Sequence, residues 1–344
     1  GGDTGGGKGG GKGGGKSRPE CGDFKRGNCD RGDKCRFSHG TGDGGGGGGE
    51  RPGDWTCPNC SAMVFASKSE CFKCHTKRDG TKGTGTGGEG GPPPEKYAEG
   101  KWEQPRVETG LMLLGQMAQT VNPAVMWRYE LCDESRRSYA AYLPCPFTTD
   151  QTKKFFDEAK EGTDWKQPEG PNGPIPRKTA WMVAPGGCEC NYRYGRIEVE
   201  PQTYPVWMQQ VMALIMPLCG LTDPSTWPNS CNMNLYEDGG MSVGWHSDDE
   251  SLFQGKFNDI RIISLSLGVR RKFELRSNWP EEGEKPVRTL MLGDGDLCTM
   301  EGMTQKHFQH RVPKEGNITG PRINLTWRWV MKHTPRCPAA RQRR

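Results

Sequence analysis

The sequence predicts an α+β chain: a domain with supporting helices and a β-sandwich or jelly-roll core, preceded by two small cysteine-rich modules on flexible glycine-rich linkers. Three observations predict it. Glycine-dominated tracts break up the first hundred residues, where apolar side chains are too sparse to offset the entropy of ordering the backbone. Helix-period segments follow at Thr149 to Ala159 and Pro205 to Leu218. After Asn229, short β-rich runs separated by Gly, Pro and Asn turns take over, and helices followed by strands is the order of an α+β domain.

Residues 1–17 read as a disordered Gly/Lys-rich tail, 41–50 as a glycine linker and 79–100 as a Gly/Thr/Pro linker. They isolate the modules 18–40 and 51–78. Residues 101–126 form a lead-in with no assigned fold beyond a short amphipathic helix around Leu111 to Met117. The large domain spans 127–333, and 334–344 is a basic tail ending in Arg341-Gln342-Arg343-Arg344. Within the domain the first helix sets Phe155 and Phe156 among charges. The second places Trp207, Val211, Leu214 and Ile215 on one face. Strands are expected at Ile260 to Leu267, Lys272 to Arg276, Val287 to Leu292 and Asn324 to Met331.

A net charge of +5 over 344 residues is compatible with a nucleic-acid partner but does not argue for one by itself. No apolar run approaches the ~18 residues a membrane helix needs. The 15 cysteines come without an apolar signal-like run, and those of the two modules have metal-ligand spacing. A reducing intracellular compartment, nucleus or cytoplasm, is therefore expected, and a monomer with it.

Cys21, Cys29, Cys35 and His39 are spaced C-x7-C-x5-C-x3-H in a segment too polar to fold unaided. Three thiolates and one imidazole close a tetrahedral zinc shell with no open position. The segment resembles the CCCH finger family, whose members commonly bind single-stranded RNA. Phe24 and Phe37, beside Lys25, Arg26, Arg31 and Arg36, either stack on bases or cover the metal. Cys57, Cys60, Cys71 and Cys74, spaced C-x2-C-x10-C-x2-C, bring four thiolates to a second structural zinc. The Gly53-Asp54-Trp55 opening resembles the Ran-binding-protein type of finger. Its loop, Val64-Phe65-Ala66-Ser67-Lys68, lacks the asparagine and arginine pair of the RNA-reading members. Binding of a protein partner, or a purely structural role, stands beside base stacking by Trp55 and Phe65.

His246 and Asp248 are two residues apart, so in an extended backbone they point the same way. A further histidine would complete a facial triad for non-haem iron, with three positions left for ligands. His310, in the following β-rich region, is the candidate. Arg322, Asn324, Thr326 and Arg328 alternate along one strand and share a face. Polar groups turned into a sandwich core are costly unless an anion compensates them, and a dicarboxylate would. Asn234 and Tyr236 add donors upstream.

From Trp127 to His333 the chain resembles the AlkB family of oxidative demethylases. The resemblance rests on Pro176-Arg177-Lys178-Thr179-Ala180-Trp181, Tyr192-Arg193-Tyr194-Gly195, Asn234-Leu235-Tyr236, His246-Ser247-Asp248-Asp249-Glu250, Ser264-Leu265-Ser266-Leu267-Gly268, His310, and Arg322 to Arg328. It implies a double-stranded β-helix fold and Fe(II) on His246, Asp248 and His310. It further implies 2-oxoglutarate as cosubstrate, with Arg322 and Tyr236 on the distal carboxylate and Asn234, Asn324, Thr326 and Arg328 completing the site. A flipped base would lie between Tyr194 and His246, with Tyr192 beside them and Asp249 or Glu250 reading an exocyclic amine. Sheet packing is the competing reading of Tyr192 and Tyr194.

The implied activity is removal of N-alkyl groups, of the 1-methyladenine or 3-methylcytosine type, from RNA or single-stranded DNA, releasing succinate, CO2 and formaldehyde. The alternatives are a different modified base, a protein side chain, or an inert adaptor that only binds RNA. Arg270, Arg271, Lys272 and Arg276 either contact phosphates or charge a strand edge. Cys188 and Cys190 read as loop thiols without a metal, and the remaining downstream cysteines as buried apolar residues.

Overall fold

The computed structural model describes residues 54–58, 63, 64, 69, 77–80, 96, 101–170, 173–194 and 197–341, in two compact units, Gly1–Gly91 and Pro92–Arg344. The expected zinc ligands Cys21, Cys29, Cys35, His39, Cys60, Cys71 and Cys74 lie outside the described residues, as do Phe24, Phe37 and Phe65. Cys57 is described. It is buried directly after β1 (Trp55–Thr56), which pairs antiparallel with β2 (Met63–Val64).

In the second unit the chain runs through β3 (Arg128–Asp133), β4 (Ser138–Leu143), the two-residue β5 (Glu169–Gly170) and β6 (Gly173–Pro174), and β7 (Lys178–Val183). It continues through β8 (Tyr192–Tyr194), β9 (Ile197–Val199) and β10 (Pro201–Thr203). Then follow β11 (Ser230–Tyr236), β12 (Val243–His246), β13 (Ile260–Gly268) and β14 (Arg271–Ser277). The last four are β15 (Arg288–Leu292), β16 (Leu297–Gly302), β17 (Phe308–Val312) and β18 (Arg322–Arg328). One sheet has the order β10-β7-β11-β18-β13-β16-β4-β3 and another β12-β17-β14-β15. From β11 to β18 the chain passes back and forth between these sheets, with β11, β13, β16 and β18 in the large one and β12, the β14–β15 hairpin and β17 in the small one. This is the double-stranded β-helix.

Period-two alternation decides what each sheet face carries. Cys231, Met233 and Leu235 of β11, Ile263, Leu265 and Leu267 of β13, and Ile323, Leu325 and Trp327 of β18 belong to one buried cluster with the covering helices Thr149–Glu161 and Val206–Ile215. The residues between them face the other way, into the sandwich. Helix Thr149–Glu161 begins at a capping box in which the Thr148 hydroxyl accepts from Gln151 N and the Gln151 side chain accepts from Thr148 N. The second helical segment is α-helical only to Ile215. Met216–Cys219 tightens into a 3-10 turn at Pro217, which has no N–H to donate. Leu214, expected on the buried face, is exposed.

The lead-in folds onto the domain. Its helix is Leu114–Val121, three residues beyond the expected start, because partners for its first N–H groups come from elsewhere in the chain. Leu114 N donates to Glu301 Oε2 at 2.7 Å and Gly115 N to the Tyr129 hydroxyl at 3.1 Å. Upstream, Glu103 Oε1 accepts from Lys306 Nζ at 2.5 Å and lies 2.7 Å from His307 Nε2, while Trp102 stacks on Trp279. Burial raises the Glu103 carboxyl, but hydrogen bonds to His307 and Lys306 outweigh it and hold the group below its ordinary 4.5. An acid stabilised this way contributes stability above the unfolded pKa and loses it as pH falls through the folded one. Glu103→Gln is therefore expected to cost about 1.5–3 kcal/mol at pH 7. The gap from wild type should narrow below pH 4.5, as measured by denaturant unfolding at pH 7, 5 and 4; a gap independent of pH would refute the ionic account.

Gly268 ends β13 at φ +85°, and an added Cβ would stand 2.4 Å from the Pro321 carbonyl oxygen. Left-handed backbone alone costs an L-residue about 1–2 kcal/mol, and the clash adds to it. Gly268→Ala is expected to lower the unfolding free energy by at least about 2 kcal/mol. A melting temperature unchanged within a degree would show that the β13–β18 junction yields freely.

Candidate active site

β12 and β17 pair antiparallel with His246 directly opposite His310, so both rings leave the same face, 4.2 Å between centroids. Asp248 follows two residues later. Its Oδ1 lies 3.7 Å from His246 Nε2 and its Oδ2 3.9 Å from His310 Nε2. The coordinating atoms of the three all fall within 4.8 Å of one another. The loop bearing Asp248 is tied down: Ser247 Oγ donates to Phe308 O, and Asp248 N donates to Gln305 Oε1. His246 Nδ1 sits 2.8 Å from the Gly244 carbonyl, which leaves Nε2 as the lone-pair nitrogen.

Burial, then the neighbouring His246, push His310 down to about 3, and burial also lowers His246. Burial raises Asp248, but the Arg328 guanidinium beside it holds it well below the carboxylate range. Two neutral imidazoles and one ionised carboxylate are the deprotonated donors a divalent metal requires. Three N/O ligands on one side, with the other positions open, fit Fe(II).

Across the cavity, β11, β18 and β13 turn a polar face toward these ligands. Asn232 lies opposite Thr326, Asn234 opposite Asn324 and Tyr236 opposite Arg322; Ser264 and Ser266 flank from β13. Arg322 is 1% exposed and donates from Nη2 to Ser266 Oγ at 2.7 Å, while its Nε and Nη1 have no hydrogen-bond partner among the described residues. Arg328 donates from Nη2 to Asp248 Oδ2 and likewise leaves Nε and Nη1 without a partner. Buried guanidinium N–H groups left unmatched are costly, and a carboxylate is their natural complement. A dicarboxylate such as 2-oxoglutarate therefore fits this wall.

Three of the other expected contacts to 2-oxoglutarate, Asn234, Asn324 and Thr326, also make hydrogen bonds within the protein. Asn324 Nδ2 donates to Ser264 Oγ and Leu265 O, Thr326 Oγ1 donates to Asn324 Oδ1, and Asn234 Oδ1 accepts from Arg177 Nε. Their geometry is that of a braced wall, whereas Arg322 and Arg328 keep donors unspent.

His246, Asp248, His310, Asn234, Tyr236, Asn324, Thr326, Arg328, Tyr192, Tyr194, Asp249 and Glu250 all line one cavity of ≈ 570 Å³. That size suits a small-molecule site. Arg322 stands outside the lining, its guanidinium 5.5 Å from the Tyr236 ring centroid. In the same lining, Tyr192 is buried, stacked on Trp181 at 5.0 Å, and donates its hydroxyl to Glu250 Oε1. Tyr192 thus both packs against Trp181 and lines the cavity, its ring 5.4 Å from that of Tyr194. Tyr194 keeps its place at the cavity with the Arg177 guanidinium 5.5 Å from its ring. Burial, then the Asp248 charge, push Glu250 up to about 7, and its Oε2 has no partner among the described residues. Asp249 is paired with Lys256 at 2.6 Å.

Arg271 does not contact phosphates. It is fully buried, donating to the carbonyls of Asp238, Met241 and Pro313 and to Glu315. Arg276 and Arg311 flank Trp245 at 4.4 and 4.5 Å on the small sheet.

Residues 139–328 match the model of the 2OG-Fe(II) oxygenase superfamily. The chain belongs to that superfamily. Residues 16–41 match the zinc fingers of C-x8-C-x5-C-x3-H type and similar, which accommodates the one-residue-shorter first spacing here. Among curated relatives, the oxygenase domain is similar to "Alpha-ketoglutarate-dependent dioxygenase alkB homolog 3" of Bos taurus, 37% identical over 54% of this chain and 65% of the relative. It is 39% identical to the protein of that name from Homo sapiens, over 51% of this chain and 60% of the relative. With "DNA oxidative demethylase ALKBH2" of Arabidopsis thaliana it shares 28% identity over 53% of this chain and 63% of the relative. The chain spans less than two thirds of the length of these relatives.

In this oxygenase domain the residues that sequence reasoning left without a role are Asn232, Ser264, Ser266 and Arg177. The first three were within reach of the alternation argument applied to Arg322–Arg328, since Asn232-Met233-Asn234 and Ser264-Leu265-Ser266 carry the same polar-apolar rhythm. Arg177 had no such signal, because it precedes its strand and reaches Asn234 only through the fold.

Proposed function

We propose that the chain is an oxidative demethylase of N-alkylated bases, of the 1-methyladenine or 3-methylcytosine type, in RNA or single-stranded DNA. The observation that carries the reading is one part of the cavity lining. Tyr194 offers a flat aromatic face beside Arg177, and Glu250 presents an unmatched carboxylate oxygen, all on the cavity that holds the His246, Asp248 and His310 trio. A planar cationic base with an exocyclic amine complements an aromatic face and a carboxylate. The similarity to alkB homolog 3 and the CCCH module support a nucleic-acid strand as the substrate.

His246, Asp248 and His310 would hold Fe(II), which with 2-oxoglutarate and dioxygen supplies the oxidation of the N-methyl group that leaves as formaldehyde, with succinate and CO2 as coproducts. Arg322 would anchor the cosubstrate by its distal carboxylate, with Tyr236 beside it. Arg328 keeps Asp248 ionised and aimed. Tyr194, braced by Tyr192 and Trp181, would stack on the base, and Glu250 would accept from its amine. The four-cysteine module 51–78 would add a second structural zinc and a surface for nucleic acid or a protein partner.

Formaldehyde release from matched RNA and DNA oligonucleotides bearing 1-methyladenine or 3-methylcytosine tests the reading. Turnover dependent on Fe(II) and 2-oxoglutarate is expected; bound iron and 2-oxoglutarate with no formaldehyde from any of them would overturn it. Tyr194→Ala is expected to raise KM for the oligonucleotide about tenfold, a stacking loss of ~1–3 kcal/mol, with KM for 2-oxoglutarate unchanged. Equal rises in both would assign Tyr194 to the general shape of the cavity instead.

A further inference from the structure

A second group of metal-ligating side chains lies away from the iron trio. The sulfurs of Cys188, Cys190 and Cys337 and a ring nitrogen of His333 all fall within 4.8 Å of one another. We propose that these four residues hold one structural zinc ion, which fastens the C-terminal segment to the loop feeding the Tyr192–Tyr194 strand. The reading of Cys188 and Cys190 as loop thiols without a metal is thereby revised.

Three thiolates and one imidazole form a closed tetrahedral zinc shell, and Zn–S near 2.3 Å with Zn–N near 2.0 Å places donor atoms roughly 3.5–3.8 Å apart. Cys337 Sγ and His333 Nδ1 are already 3.5 Å apart. The three cysteines are 2%, 1% and 2% exposed in chain order. Backbone N–H groups are aimed at each sulfur: Cys190 N at Cys188 Sγ, 3.2 Å; Thr334 N at Cys190 Sγ, 3.2 Å; Glu189 N at Cys337 Sγ, 3.3 Å. Donors directed at sulfur stabilise thiolates, the form that binds metal, and serve as the outer shell of such a site.

Two competing explanations fit less well. A disulfide would use two of the three sulfurs and give His333 no part, and the three cysteines are free thiols here. Burial of cysteine as a small apolar residue, which describes Cys219 and Cys231, does not bring an imidazole and three sulfurs to one point. Cys190 and Thr334 meet across 144 residues, so the cluster closes the domain on itself. Its mechanical consequence is local: Trp181 Nε1 donates to the Cys190 carbonyl, and Trp181 carries Tyr192.

The test uses the full chain purified without chelators. Zinc per chain, measured by plasma mass spectrometry, is expected to fall by one in Cys190→Ser/Cys337→Ser. It should stay at the wild-type value in Cys132→Ser, which removes an exposed thiol outside the cluster, and in His333→Cys, which replaces one zinc ligand by another. Equal zinc in wild type and the double variant would overturn the proposal, as would a disulfide between cluster cysteines in the intact mass. A second measurement on the wild type avoids any folding defect of the variant. Maleimide labelling of Cys188, Cys190 and Cys337 is expected to begin only when a zinc chelator is added, with Cys231 and Cys298 protected throughout. Labelling of the cluster at the same rate with and without chelator would show that burial alone protects it.

Discussion

His310→Ala is expected to lower 2-oxoglutarate-dependent turnover by about 10³-fold or more, several kcal/mol of transition-state stabilisation. His310 supplies one of three donors, and the geometry leaves no substitute. His246 faces it across the β12–β17 pair, Asp248 bridges toward both, and no other His, Cys, Asp or Glu among the described residues joins their cluster. The ring is buried, and burial keeps it neutral, so the lost group is a ready lone pair. Iron retention after gel filtration should fall with turnover, while far-UV circular dichroism and the melting transition should show an intact β-helix. A variant keeping more than a tenth of wild-type turnover would remove His310 from the metal site.

Arg322→Met is expected to raise KM for 2-oxoglutarate about 100-fold, the loss of roughly 3 kcal/mol from charge-assisted bonds to a carboxylate. The side chain is buried, has one hydrogen-bond partner among the described residues, Ser266, and keeps two nitrogens unmatched. Such an arrangement is a poor way to stabilise a fold, since an unmatched buried polar group costs free energy that methionine would not incur. Without 2-oxoglutarate the variant should therefore melt at or above the wild-type temperature. Saturating 2-oxoglutarate should raise the wild-type midpoint, by linkage to the native state, and leave the variant's unmoved. Were Arg322→Met strongly destabilised in the absence of 2-oxoglutarate, Arg322 would be a structural residue and the cosubstrate would need another anchor.

Much of this site was legible because its chemistry rides on strands. In β18 the polar residues Arg322, Asn324, Thr326 and Arg328 alternate with Ile323, Leu325 and Trp327, and a period of two leaves one arrangement: apolar residues under the helices, polar ones on the sandwich side, where Asn324, Thr326 and Arg328 line the cavity and Arg322 is buried against Tyr236. His246 and Asp248 were legible for the same reason. The four strands expected after Asn229 exist, within a few residues of the expected bounds. β4 and β7 are not legible as strands, because runs such as Tyr139-Ala140-Ala141-Tyr142 are buried on both faces and show no alternation.

What the sequence by itself determined, then, is which residue types share a face, because side-chain direction along a strand follows from covalent geometry alone. Only the tertiary structure decided which of those residues touch. Arg328, which shares the face of the expected cosubstrate residues, also bonds Asp248 through Nη2, a contact set by how β18 lies against the loop after β12. Asn324 and Thr326 are spent on β13 and on each other. Residues 101–126 gained a fold because Glu301 and Lys306, far downstream, supply what Leu114 N and Glu103 need. Cys188, Cys190, His333 and Cys337 have no common spacing that a sequence could display. Contacts between distant segments depend on sheet order and crossover, which are fixed by packing the whole chain around one core.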